Sequence, residues 1–241
     1  MTDVQPPVLA EVRNRIGHLT LNRPTGLNAL TLEMVRLLQG HLDNWAADSE
    51  IEAILLRGAG ERAFCAGGDI RTLYDQHMAG DPQAIHTFFA EEYALDQCIH
   101  AFPKPILVLM DGFVLGGGMG LAQGASLRIV TERAKLGMPE TGIGYFPDVG
   151  GSYFLPRLPG EMGLYLGITG AQVKAADALH LGLADQYIAS ERLAELDPRL
   201  DAIDWQSETL EQALSQLLSK DLPPAELVAL QPAIDRHFAQ P

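Results

Sequence analysis

The sequence predicts an α/β fold in which short buried strands alternate with helices, and three observations carry that expectation. The stretches Ala53 to Arg57, Ile106 to Met110 and Leu127 to Thr131 are strand-length and mostly apolar, as strands covered on both faces are. Segments with helical spacing separate them. Glycine-rich junctions, FCAGGDI (64–70) and GFVLGGGMG (112–120), stand where a strand would turn into a helix.

Taken in order, Val8 to Arg13 and Ile16 to Asn22 read as two strands around a turn at Asn14–Arg15. Thr31 is placed to cap a helix in which Leu32, Val35, Leu38, Leu42 and Trp45 fall at helical spacing. The Ala53 strand ends at Gly58 and Gly60. Asp81–Pro82 starts a long helix to about His100, with Asp as cap and Pro in the first turn. A triple glycine, 116–118, opens a short helix of small residues. A Gly- and Pro-rich loop, MPETGIGYFPDVGG (138–151), leads to short helices, and Gln186 to Ala189 reads as a last strand. The expected organisation is a core over 1–190 and a helical segment over 191–241. That segment shows helical pattern at 209–218 and 225–238 but little for it to bury itself against.

Bulk properties exclude several classes. The chain has 241 residues, 47% of them apolar, which is ample for a real core. A formal charge of −14 argues against nucleic acid, whose binding rests on neutralised phosphates. The run Ile106 to Met110 is far too short to cross a bilayer, and the N-terminus MTDVQPPVLA lacks the basic-then-apolar pattern of a signal peptide. Two cysteines, Cys65 and Cys98, make no disulfide framework, so a cytoplasmic setting is expected. The seven histidines show no zinc spacing, and neither a metal nor a resident cofactor is expected.

Three constellations offer chemistry. The loop in FCAGGDI presents free N–H groups just before a helix, suited to a developing negative charge; a tight strand-to-helix turn explains it equally well. The triple glycine loses more entropy on folding than other residues would, which points either to a ligand close to the backbone or to helix–sheet packing. Glu140 and Asp148 lie eight residues apart in an apolar loop, which raises a carboxyl pKa toward neutrality and fits proton transfer or nucleophilic attack. Singly, each reads as well as a helix cap or a turn residue. Cys65 reads as a packed thiol.

In this order and separation, LNRP (21–24), LNAL (27–30), FCAGGDI (64–70) and DGFVLGGG (111–118) resemble the crotonase (enoyl-CoA hydratase/isomerase) superfamily, over about Val8 to Ser190. Within it, MPETGIGYFPDVGGSYFLPRL (138–158) and FFAEEYALD (88–96) resemble the 3-hydroxyisobutyryl-CoA hydrolase branch. The resemblance implies a spiral of β-β-α repeats with C-terminal helices, usually in trimers or pairs of trimers. It implies an oxyanion hole from the backbone N–H groups of Gly68 and Gly117. Glu140 becomes nucleophile or base, and Asp148 assists proton transfer. Glu92 matches a substrate-contacting position, and Ala29, Ala66 and Ile70 match positions that touch coenzyme A. Arg23, Arg62 and Lys104 are candidates for its phosphates. Members of the branch are longer than this chain, which implies a C-terminal segment cut short.

The choice between reactions follows from chemistry. Hydrating an enoyl thioester needs two acid/base groups, and hydratases of the superfamily carry the second three residues after the middle glycine. Here that residue is Gly120. Hydrolysis needs a stabilised oxyanion, a nucleophile and a proton carrier, roles that Gly68 with Gly117, Glu140 and Asp148 fill in turn. The expected activity is therefore hydrolysis of a short β-hydroxyacyl-CoA, by resemblance one of valine breakdown. The alternatives are an enoyl-CoA hydratase or isomerase and a non-catalytic acyl-CoA binder.

Overall fold

In the computed structural model, residues 5–239 are described. Residues 1–4, part of the segment read against a signal peptide, and 240–241, the end of the C-terminal segment, lie outside them.

The chain winds through repeated strand–strand–helix turns. Strands β1 (Val8–Arg13) and β2 (Ile16–Leu21) form an antiparallel hairpin. Asn14 and Arg15 both take positive φ, 43° and 64°, which a tight two-residue hairpin turn requires. Helix α1 (Leu32–Ala46) follows, with the Thr31 side chain accepting from the Met34 N–H at 3.3 Å. Three turns then repeat one plan: β3 (Ala53–Gly58) and β4 (Ala63–Cys65) lead to α2 (Ile70–Met78) and α3 (Pro82–His100); β5 (Ile106–Met110) and β6 (Phe113–Leu115) lead to α4 (Gly117–Gln123); β7 (Leu127–Val130) and β8 (Lys135–Gly137) lead to the 138–150 loop and α5 (Gly151–Phe154). The remaining elements are α6 (Met162–Thr169), β9 (Val173–Lys174), α7 (Ala175–Leu181), β10 (Gln186–Tyr187), α8 (Leu196–Asp201), α9 (Leu210–Leu214) and α10 (Leu227–Phe238).

Two sheets result. The larger runs β1-β2-β3-β5-β7-β10, parallel except for the first pair, and the smaller runs β4-β6-β8-β9. One face of the larger sheet packs Leu56, Val108 and Val130 into the main core with Val35, Leu38 and Leu95. The other face, with Leu55, Leu107 and Ile129, is covered by Leu196, Leu200, Leu214 and Leu217.

That cover corrects the expectation for the C-terminal segment. Helices α8 and α9 are a layer of the fold, because a sheet whose strands are apolar on both faces must be covered twice. The segment is also latched to the hairpin: Asn14 Nδ2 donates to the carbonyls of Leu200 and Ile203 at 2.9 and 3.0 Å, and Trp205 Nε1 donates to that of Asn14 at 2.8 Å. Farther on, Asp177 accepts from the Leu227 N–H at the start of α10 (2.8 Å), and Asp235 accepts from the Glu161 N–H (2.9 Å).

Candidate active site

Three adjacent parallel strands of the smaller sheet end at one place. Ala63 pairs with Phe113, and Leu115 pairs with Gly137, so the segments leaving β4, β6 and β8 emerge side by side at their carboxyl ends. Parallel sheets bind ligands at such ends. The segments carry Gly67–Gly68, Gly116–Gly117 and Glu140.

The first is braced by the LNAL turn. The Ala66 N–H donates to the Leu27 carbonyl (3.1 Å), the Leu30 N–H to that of Gly67 (2.8 Å), and the Asp69 N–H to that of Leu30 (2.8 Å). This bridge skips Gly68, whose N–H finds no acceptor among the described residues. Gly117 is the first residue of α4, and its N–H is likewise free among them. Gly67 (φ 95°) and Gly116 (φ 50°) let the segments touch: a Cβ on Gly67 would stand 3.4 Å from the Gly117 nitrogen. Ala29 and Ala66 lie half-buried in the braced stretch, beside Gly68, and Ile70 stands exposed at the start of α2.

The glycines of GGGMG make room for acids. Glu140 Oε1 occupies the space beside Gly116, where a Cβ would lie 2.5 Å away, and Glu92 Oε1 occupies that beside Gly117. Asp96 lies over Gly120, each carboxyl oxygen 2.9 Å from where a Cβ would be. Gly118 instead lets α4 press on the Cys65 carbonyl. The packing reading of the triple glycine therefore holds at Gly118, while side-chain carboxyls take the space beside Gly116 and Gly117. Asp148 accepts a hydrogen bond from the Tyr93 hydroxyl at 2.5 Å, and the Tyr145 hydroxyl is 3.5 Å from that of Tyr93.

Crowding carboxyls in a buried site makes them hold protons. Burial pushes Glu140 up to about 7, against its own backbone hydrogen bond and with help from the Asp148 charge. Burial, then Asp96, Asp148 and Glu140, push Glu92 up to about 9. Burial and Asp148 push Asp96 up to about 8. Burial and the bond to Asp148 raise the Tyr93 phenol, keeping it a donor. Glu92 Oε1, Glu140 Oε2 and both Asp96 oxygens are closed to solvent without a partner among the described residues. Burial raises the Cys65 thiol to about 12, so it is packed and unreactive. Among the described residues no group of three His, Cys, Asp or Glu is arranged to hold a metal ion.

A cavity of about 570 Å³ opens beside this cluster, walled by Tyr93, Asp96, Gly120, Tyr145, Asp148 and Tyr153. Sequence reasoning had missed Asp96 and Tyr93. The signal for Asp96 was present: Glu92 and Asp96 are four apart in FFAEEYALD, one above the other on a helix. Tyr93 carried none, since its role appears only when the 138–150 loop folds back onto α3. The phosphate candidates fare unequally. Lys104 donates to the Trp45 and Asp48 carbonyls (2.5 Å each) and so is used in ending α1. Arg23 is tied to Asp69 and to the Ala29 carbonyl, at 2.9 and 2.6 Å, and braces the LNAL turn. Arg62 stands exposed.

Two amide donors, a carboxyl poised to titrate near neutrality and a second carboxylate held by a phenol are parts suited to acyl transfer. Comparison with known proteins points the same way. The sequence model for enoyl-CoA hydratase/isomerase matches residues 16–241. The mitochondrial 3-hydroxyisobutyryl-CoA hydrolase of Danio rerio is 42% identical over 240 residues, 96% of this chain and 62% of that protein. The Homo sapiens protein of the same name is 45% identical over 202 residues, 84% of this chain and 52% of that one. The chain thus spans about half to three-fifths of the length of these relatives. Among solved structures, a carnitinyl-CoA dehydratase from Mycobacterium thermoresistibile superposes with a TM-score of 0.91 at 38% identity, over 98% of this chain and 67% of that one. An enoyl-CoA hydratase from Rhodobacter sphaeroides superposes with a TM-score of 0.87 at 40% identity, over 97% of this chain and 66% of the other.

Proposed function

The chain belongs to the enoyl-CoA hydratase/isomerase family, and from that premise we propose that it hydrolyses the thioester of a short β-hydroxyacyl-CoA, 3-hydroxyisobutyryl-CoA first among them. The observation that carries the reading is the placement of Glu140. Its carboxyl lies against Gly116, next to the free Gly117 amide, with burial lifting its proton affinity to about 7. The names of the relatives at 42% and 45% identity agree with it.

In the proposed route the thioester oxygen sits between the N–H groups of Gly68 and Gly117. Each such donor typically contributes ~10²–10³ in rate. A Glu140 carboxylate oxygen attacks the carbonyl carbon, the C–S bond breaks, and coenzyme A leaves as thiolate. Asp148 takes a proton from water, the hydroxide adds to the Glu140 carboxyl carbon of the mixed anhydride, the bond from that carbon to the bridging oxygen breaks to release the acid, and the proton on Asp148 passes through solvent to the thiolate. A general-base route, in which Glu140 activates water directly, uses the same atoms. Single turnover in ¹⁸O-water separates the two, since label enters the Glu140 side chain only on the anhydride route. Ala29, Ala66 and Ile70 are assigned to the coenzyme A moiety and Glu92 to the acyl group. The only coenzyme in this account arrives with the substrate.

The assay is free-thiol release across short acyl-CoA thioesters, run beside loss of the enoyl absorbance of crotonyl-CoA. Thiol release from β-hydroxyacyl substrates without comparable hydration supports the reading. Hydration at a comparable rate overturns it in favour of a hydratase, and binding without turnover in favour of a carrier. The reading extends to assembly in trimers, as the resemblance implies, and to a reducing compartment, cytoplasmic by the cysteine argument. Both cysteines are free, and among the described residues no helix is long and apolar enough to cross a membrane. The two relatives are named as mitochondrial proteins, so fractionation decides between cytoplasm and organelle.

A further inference from the structure

The reaction as drawn uses Glu140, Asp148 and two amides, and leaves Asp96 without a role. Three observations make that unusual. Both carboxyl oxygens of Asp96 are closed to solvent and lack a partner among the described residues; a buried polar group left so costs stability unless something else satisfies it. Asp96 is seated by design of the backbone: it lies over Gly120, where each oxygen is 2.9 Å from the place a Cβ would take and Val149 is 2.6 Å from it. And Asp96 shares the wall of the 570 Å³ cavity with Asp148 and Tyr93.

The groups facing it decide its charge. From α3 come Glu92, Tyr93 and His100, from the 138–150 loop Glu140, Tyr145 and Asp148, from α5 Tyr153, and from β4 Cys65. Helix α4 contributes no titratable side chain. No Lys or Arg lines the cavity, so an ionised Asp96 would add a second unbalanced negative charge beside Asp148. Like-charged carboxyls in one site do not all ionise together. The neutral acid is also the form that supplies a donor where the surroundings supply none.

We propose that Asp96 is a positioning residue of this reaction: a neutral carboxylic acid lodged over Gly120 whose proton is hydrogen-bonded through one water to Asp148, holding that carboxylate toward the water that ends the cycle. The proton stays on Asp96 throughout. Tyr93 grips Asp148 directly, and Asp96 steadies it through that water. When Asp96 ionises at alkaline pH the donor is lost and a charge opposes the oxyanion, so the alkaline limb of the rate profile belongs to Asp96. This inference rests on the hydrolase reading for its kinetic test and not for its spectroscopic one.

The kinetic test follows thiol release by the purified protein, D96N and D96A between about pH 6 and about pH 10, the range that brackets the proposed titration. Asparagine keeps a neutral donor; alanine does not. The expected result is that D96N retains kcat within about threefold of the unaltered protein near pH 7, while D96A loses about tenfold or more with KM unchanged. The alkaline fall, centred near 8 in the unaltered protein, is absent in D96N. A D96A enzyme as fast as D96N, or an alkaline limb that survives in D96N, overturns the proposal. If the unaltered protein releases no thiol from any acyl-CoA, the hydrolase reading has failed, and the infrared difference between it and D96N near pH 7 still decides for Asp96. A protonated-carboxyl band that vanishes in D96N supports the neutral acid, and a carboxylate band in its place refutes it.

Discussion

The two sheets divide the work unequally. The larger is built of four- to six-residue strands that are mostly buried from β2 to β7, with β1 an exposed edge and the short β10 closing the far edge, and both core clusters pack against it. The smaller is made of strands of two or three residues, yet its carboxyl ends deliver Gly68, Gly117 and Glu140 to one spot. One sheet supplies stability and the other supplies register. Substitutions should therefore separate cleanly into those that unfold the protein and those that silence it.

The largest expected effect falls on the smaller sheet's side. Glu140→Gln is nearly isosteric and removes the nucleophile or base, so thiol release drops about 10³-fold while the thermal midpoint moves little. A loss below tenfold in a folded protein would show that the carboxyl beside Gly116 is not at the reacting carbonyl. On the larger sheet's side, Leu214→Ala empties a fully buried position under the second face. A cost of about 2–5 kcal/mol in denaturant unfolding is expected, with the rate per folded molecule unchanged. A cost under about 1 kcal/mol would restore the picture of a loosely attached C-terminal segment.

How legible each sheet was in the sequence follows the same division. Ala53 to Arg57, Ile106 to Met110 and Leu127 to Thr131 stood out because short, mostly apolar runs of strand length carry a strand signal by themselves. Strands such as Lys135–Gly137 and Val173–Lys174 are too short to carry one, and only the register with their neighbours defines them. The C-terminal layer was misread because its partner lies far away in the chain: Leu196 and Leu200 meet Leu55 and Leu107 only after the sheet exists. In the site, Glu140, Asp148, Gly68 and Gly117 were picked out by motifs, and the fold sets the Glu140 carboxyl beside Gly116 and the Gly117 nitrogen beside Gly67. Asp96 escaped because no motif marks it and its only sequence trace is a four-residue spacing to Glu92. Tyr93 escaped because hydrogen bonding across 55 residues has no local pattern.

The smallest expected effect sharpens the electrostatic side of the comparison. Glu92 holds its proton more tightly in the folded protein, up to about 9, than in the unfolded chain. Its contribution to stability is therefore complete below the ordinary carboxylate range and is lost as pH rises toward 9. Glu92→Gln removes that slope. Thermal or denaturant unfolding should find it gaining stability relative to the unaltered protein as pH rises from about 6 to about 9. Parallel stability curves for the two proteins would mean that Glu92 is ionised and satisfied in the fold.

The most direct test of the central claim is a crystal structure of Glu140→Gln bound to an acyl-CoA analogue in which a methylene replaces the thioester sulfur. The account predicts the ketone oxygen at about 2.9 Å from the nitrogens of both Gly68 and Gly117, with the residue 140 side chain within about 3.5 Å of the carbonyl carbon. A ketone bound elsewhere, or held by one amide with residue 140 turned away, would contradict it.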